Sequence, residues 1–340
     1  MLTELNSLPT HFLDIEARDL HRILSGPTLI HLSGRESEPL FVSVLLHGNE
    51  DTGLKAIQSV LKKYQTQSLP RSLSLFIGNV DAARLGIRLK DNQPDYNRVW
   101  SAEDAETLLP EHHLMRKIVS IMAKRKVFAS IDIHNNTGIN PHYGCVNRLE
   151  AAFLNLARLF SRIVVYFTTP KGVQSEAFAN LCPAVTLECG KPGGFGSVEH
   201  AASFVDSVLN LSCLPTQPVA EDDLDLFHTV AVVKIPKDIS LSVGESSAML
   251  NLKADIDHYN FRELPPGTHL ATVTSGCELP LHAWDEKEKD IGVHYFEIQD
   301  NALVTRRTVM LAMLTRDVEI IRQDCLCYLM ERLKIVGKTI

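Results

Sequence analysis

FVSVLLHGNE, residues 41–50, decides the fold: an unbroken run of apolar and small residues ends on His-Gly-Asn-Glu. Such a run, rich in Val, Leu and Phe, reads as a buried strand. The residues behind it, Asp51–Tyr64, carry apolar side chains at spacings of three and four, as a one-sided helix does. A buried strand feeding a helix is the unit of an α/β sheet. The unit recurs. Leu73–Gly78, Phe128–Ile133, Ile163–Phe167 and Ala184–Glu188 read as strands, and Glu111–Lys124, Leu149–Leu159 and Ser197–Leu209 as helices. Residues Glu38 to Leu211 therefore form an α/β sheet layered with helices.

Around Ser212–Asp223 the texture changes to SCLPTQPVAEDD, whose prolines and acids suit a boundary. Two domains are expected, 1–212 and a smaller β-rich 213–340. In the latter, Val230–Ile235, Ala248–Leu252, Thr268–Val273, His294–Ile298 and Val309–Leu314 read as short strands between turn signals, and Val318–Leu333 as a closing helix. A chain of 340 residues, 45% hydrophobic and 22% charged, can bury such cores.

The net charge of −7 leaves no footprint for a phosphate backbone, so nucleic acid is not expected as a partner. The first thirty residues lack the layout of a signal peptide, and no apolar stretch is long enough to span a bilayer, so no membrane association and a cytoplasmic location are expected. Seven scattered cysteines without a CxxC pair (145, 182, 189, 213, 277, 325 and 327) fit reduced thiols.

Chemistry gathers at the strand ends. In LLHGNE, His47 and Glu50 leave the strand three residues apart, close enough to face one point, at the sheet edge where α/β folds place their sites. In SIDIHNNTG a second strand ends on His134. Two imidazoles and one carboxylate, with a position left for water, form a catalytic rather than a structural zinc site. Asp132, on the same side of its strand as His134, either orients that ligand or is a structural acid bonded to backbone. In VTLECGKPGGFG, Glu188 stands at the tip of a third strand, the position of a general base. Between the histidine segments lies Asp95-Tyr96-Asn97-Arg98, preceded by Arg84 and Arg88. An arginine beside an amide can fork a carboxylate, and a second arginine can hold a developing oxyanion. The remaining histidines read as surface or satisfied core residues, with His142, just after the metal histidine, the one to watch.

HGNE, DYNR, DIHNNTG and LECG, in that order, resemble the HGxE, DLNR, DLH and ME motifs of the zinc carboxypeptidase superfamily, over residues 41 to 200. The spacing and the β-rich tail are more similar to its succinylglutamate desuccinylase/aspartoacylase branch. The resemblance implies a zinc-carboxypeptidase-like mixed sheet flanked by helices and one Zn2+ per chain on His47, Glu50 and His134. It further implies Glu188 as catalytic base, Asn97 and Arg98 as the carboxylate-binding pair, and Arg88, in competition with Arg84, as the group that polarises the carbonyl. Tyr96 replaces the usual Leu, and Asn-Asn-Thr follows His134 where the branch has Cys-Ala or Thr-Ala.

The implied substrate is a small acidic N-acyl amino acid, cleaved at its amide. A metallocarboxypeptidase acting on short peptides and a non-catalytic ligand-binding relative remain alternatives, and homo-oligomerisation is left open. Room separates the two enzymes: a deacylase needs a pocket partly roofed by the second domain, a peptidase an open cleft. Arg98 is expected to meet a substrate carboxylate rather than the protein's own acids.

Overall fold

The computed structural model describes residues 1–101, 108–244, 248–276 and 278–334. Its centre is a mixed sheet of 13 strands. In chain order the first are β1 (Thr3–Leu5), β2 (Thr28–Leu32), β3 (Gly34–Val44), β4 (Leu69–Ile77), β5 (Ala129–His134), β6 (Tyr143–Val146), β7 (Ile163–Tyr166), β8 (Ala184–Glu188) and β9 (Asp225–Lys234). They lie in the order β1-β2-β4-β3-β5-β8-β6-β7-β9, continued by Cys327–Arg332, Val309–Ala312 and Glu263–Leu264, with His282–Asp285 also on β9. The inner strands β4, β3, β5 and β8 are parallel, whereas β6 runs antiparallel to β8. A parallel centre is buried on both faces, which is why every residue of FVSV and SIDI is buried, Ser43, Ser130 and Asp132 included.

Helices α1 (Thr52–Lys63), α2 (Val80–Leu85), α3 (Pro110–Lys124), α4 (Ala151–Phe160), α5 (Gln174–Phe178) and α6 (Ser197–Asn210) cover this sheet. The expected α/β class holds, with element ends shifted by a few residues. Strands β9, Cys327–Arg332, Val309–Ala312 and Glu263–Leu264, all beyond residue 212, extend the main sheet, and a separate five-stranded sheet runs from Leu241–Val243 through His269–Val273 to Phe296–Gln299. The second sheet packs its own core around Leu250, Ala271 and Leu303.

The closing helix is a correction. Only Val318–Gln323 is helical, capped by Asp317, whose carboxylate accepts from the Glu319 and Ile320 amides. Cys327–Arg332 is instead a strand paired with β9 on one side and Val309–Ala312 on the other. Tertiary pairing outweighs a helical spacing read locally. His294–Ile298 likewise opens on a helical turn, Gly292–Tyr295, before strand Phe296–Gln299. Among the described residues the cysteines are free thiols, and Cys277 lies outside them. No helix of the described residues is long and apolar enough to cross a membrane.

Candidate metal centre and pocket

The chain leaves β3 through Leu45, whose φ of 55° lies in the left-handed region. For a leucine that costs about 1–3 kcal/mol, tolerated here because the side chain is wholly buried. Gly48 follows at a close approach: a Cβ there would come within 2.2 Å of the Ala82 carbonyl carbon in α2. Its amide donates to the Arg88 carbonyl at 3.0 Å, tying the HGNE turn to the arginine loop.

His47, Glu50 and His134 converge, with one ligand atom from each within 4.8 Å of the others. Nδ1 of His47 is 2.8 Å from Oε1 of Glu50, and Nδ1 of His134 is 2.7 Å from Oε2. Both histidines turn Nδ1 inward and Nε2 onto a second carboxylate: Asp95 for His47 at 2.9 Å, Asp132 for His134 at 2.7 Å. That arrangement fixes ring orientation and makes the inward nitrogen more basic. Asp132 is therefore the orienting acid, itself held by the Ser43 hydroxyl at 2.7 Å. Asp95, from the same DYNR motif as Arg98, is a site residue that local sequence does not distinguish from a turn-capping acid. Burial opposes charge at both imidazoles, as does Arg88 at His47, yet the flanking carboxylates raise both above the ordinary value. Burial also works against the Glu50 anion, but the two histidines hold its carboxyl well below the usual range. An anionic carboxylate between two basic nitrogens is the donor chemistry that suits a divalent cation.

Glu188 ends β8 directly beside His134, its partner in the β5–β8 register. Burial pushes its carboxyl up to about 8. In Asn-Asn-Thr the Asn135 backbone N–H donates to Glu50 Oε2 at 3.1 Å, as any residue there could, and the Asn136 side chain donates to Glu188 Oε2 at 2.6 Å.

Arg88 reaches the pocket, whereas Arg84 is exposed on α2. Arg88 Nη2 donates to Asp95 at 3.0 Å and to Asp324 at 3.1 Å, while its buried Nε has no partner among the described residues. Arg98 departs from expectation, because it does bind the protein's own acid: Nη2 donates to Asp324 at 3.0 Å, and Nη1 to the Asn97 carbonyl. Asp324 enters from the turn after the helix Val318–Gln323, where no local pattern marks it. Asn97 lines the pocket with its amide nitrogen 3.2 Å from Nε2 of His134 and its oxygen accepting from the Gln174 amide. His142 stays out of the pocket lining and stacks on Phe160 beside His200. Trp100 is core, edge-on to Phe41, Phe76 and Phe178.

The pocket comprises about 700 Å³ of empty space, open solvent included, and Ala312, Met313, Asp324, Tyr328 and Met330 from the downstream segment form part of its wall.

No protein-family model and no curated protein sequence matches the chain. Solved structures do. The succinylglutamate desuccinylase from Chromobacterium violaceum aligns over 89% of this chain and 87% of its own, with a TM-score of 0.55 and 18% identity. Murine aminoacylase 3 aligns over 89% and 98%, at 0.56 and 12%. The ectoine utilization protein EutE (DoeB) from Ruegeria pomeroyi aligns over 89% and 88%, at 0.53 and 13%. The chain thus shares the fold of the succinylglutamate desuccinylase/aspartoacylase structures along most of its length.

Proposed function

We propose that the protein is a zinc-dependent amidohydrolase that cleaves the amide of an N-acyl amino acid. The observation that carries this reading is the adjacency of Glu188, a carboxyl raised to about 8, to the three converging donors His47, Glu50 and His134. The likeness in fold to desuccinylases and an aminoacylase points to the same class of reaction. Zinc bound by those three side chains supplies a Lewis acid that polarises the scissile carbonyl and acidifies water.

The rest falls to the protein's own groups. Glu188 takes a proton from the attacking water and returns it to the departing nitrogen, which asks for a carboxyl that titrates near neutrality. Asn136 holds that carboxylate in place. The unpartnered Nε of Arg88 is a donor in reserve for the oxygen that gains charge as the carbonyl is attacked. Arg98, beside Asn97, takes the amino acid's carboxylate in exchange for Asp324, since a guanidinium prefers a forked anion.

A pocket walled in part by downstream strands suits a small N-acyl amino acid better than the open cleft of a carboxypeptidase. A panel of N-acyl amino acids and short peptides, incubated with the zinc-loaded protein and followed by release of free amine, tests the reading. Cleavage of peptides alone would move the protein to the carboxypeptidases, and cleavage of neither would remove it from the hydrolases.

A further inference from the structure

The two ends of the pocket differ in chemistry. At the mouth, Arg98, Thr169, Pro170, Asp324 and Tyr328 also border an outer groove shared with charged side chains such as Lys234 and Glu286. The inner end is a chamber on one face of the main sheet, where strands β6, β7 and Cys327–Arg332 present Tyr143, Cys145, Val165 and Met330, with Phe167 and Ala312 beside them. These belong to one apolar cluster. Its polar atoms carry no charge: the Tyr143 hydroxyl donates to Met313 Sδ at 3.1 Å, the Thr186 hydroxyl to Ser175 at 3.0 Å, Thr229 stands beside Met330, and burial keeps the Cys145 thiol protonated.

Apart from the histidines of the centre, the cations lining the pocket among the described residues are Arg88 and Arg98. Both are already bound to Asp324. Exchange of Asp324 for a substrate group serves one carboxylate and no more. A second one, carried on the acyl chain, would give up its hydration in the chamber with no cation to pair with in return.

We infer that the chamber holds the acyl group of the substrate, and that this group is apolar and uncharged, not a dicarboxylic acyl such as succinyl. The amino acid half leads out past Arg98 into the polar groove. This rests on the amide-hydrolysis reading and narrows its substrate class to N-acyl amino acids with a single carboxylate.

The test is a series of acyl groups on one amino acid, assayed with the zinc-loaded wild-type protein. The 4-methylpentanoyl and succinyl derivatives form the deciding pair, since they match in shape and differ in charge. The apolar member is expected to have a kcat/KM at least tenfold higher, with a gain of about fourfold per methylene from acetyl to butanoyl to hexanoyl. Equal or better use of succinyl overturns the proposal. If no acyl amino acid is cleaved, the hydrolysis reading fails, and the chamber is then judged by calorimetry with 4-methylpentanamide and succinamate. At least tenfold tighter binding of the former is expected, and equal or weaker binding overturns the proposal. Ala312→Leu fills the chamber, so the hexanoyl-to-acetyl ratio should fall at least fivefold. An unchanged ratio also overturns it, and the wild-type comparisons decide should the variant fail to fold.

Discussion

The Asp324 carboxylate lies 3.0 Å from Nη2 of Arg98, joining the turn between the helix Val318–Gln323 and the strand Cys327–Arg332 to the arginine that faces the pocket. Its other oxygen receives Arg88 at 3.1 Å, so one internal anion occupies both cations of the site. Any substrate carboxylate that docks at Arg98 has to compete with it.

Asp324→Asn removes that competitor. The KM of the preferred N-acyl amino acid is expected to fall about three- to tenfold, while that of its carboxamide analogue changes little. Because Arg98 then loses its carboxylate partner while Arg88 keeps Asp95 and Glu50, thermal stability should drop by about 1–3 kcal/mol, between the values for exposed and buried pairs. Steady-state kinetics on the matched acid and amide check this. An equal change for both would show that Asp324 acts only through the fold.

Metal content tests the donor set. His47→Ala and His134→Ala are each expected to lose the bound zinc equivalent that the wild-type protein keeps after dialysis. Retention of a full equivalent by both would mean that the ion sits elsewhere.

The carboxylates behind the histidines act at one remove. Asp95→Asn and Asp132→Asn are expected to weaken zinc affinity about 10–100-fold, measured by competition with a chelator, while leaving the chain folded. Unchanged affinity in both would reduce them to packing residues.

Glu188→Gln should lower turnover about 10²–10⁴-fold with metal content intact, because the amide keeps the shape and cannot take a proton. It also gives a pH signature in the metal-stripped protein. A carboxyl raised from the ordinary range to about 8 stabilises the fold fully below its unfolded value, and that contribution is lost as the pH climbs through 8. Wild-type protein is therefore expected to lose thermal stability relative to Glu188→Gln between about pH 4.5 and 8. Parallel melting curves across that window would show that the carboxyl titrates normally. With zinc bound the proton leaves at lower pH, since a nearby cation favours the anion.

The centre was legible because its residues sit where strands stop: His47, His134 and Glu188 each end an apolar run, and such ends converge at one edge of a parallel sheet. What surrounds it was not. Strand β6 is four residues with a glycine inside, too short for a period of two to stand out. Asp324, Tyr328 and Met330 lay in a stretch whose apolar spacing imitated a helix, and only pairing with β9 and Val309–Ala312 makes part of it a strand. Asp324 meets Arg98 across 226 residues of chain, a separation over which local pattern carries no information. Asp95 was visible in DYNR, yet a carboxylate that positions a ligand has the same spelling as one that caps a turn.

The strand Cys327–Arg332 is laid between β9 and Val309–Ala312 rather than along an edge of the sheet. A nascent chain therefore presents His47, Glu50 and His134 long before the wall that closes over them is synthesised. Until that strand inserts, β9 carries an unpaired backbone ladder and the apolar chamber faces water, a combination prone to wrong pairing between chains. Activity should accordingly appear late and abruptly during synthesis on the ribosome, and chains released before residue 327 should aggregate rather than work slowly.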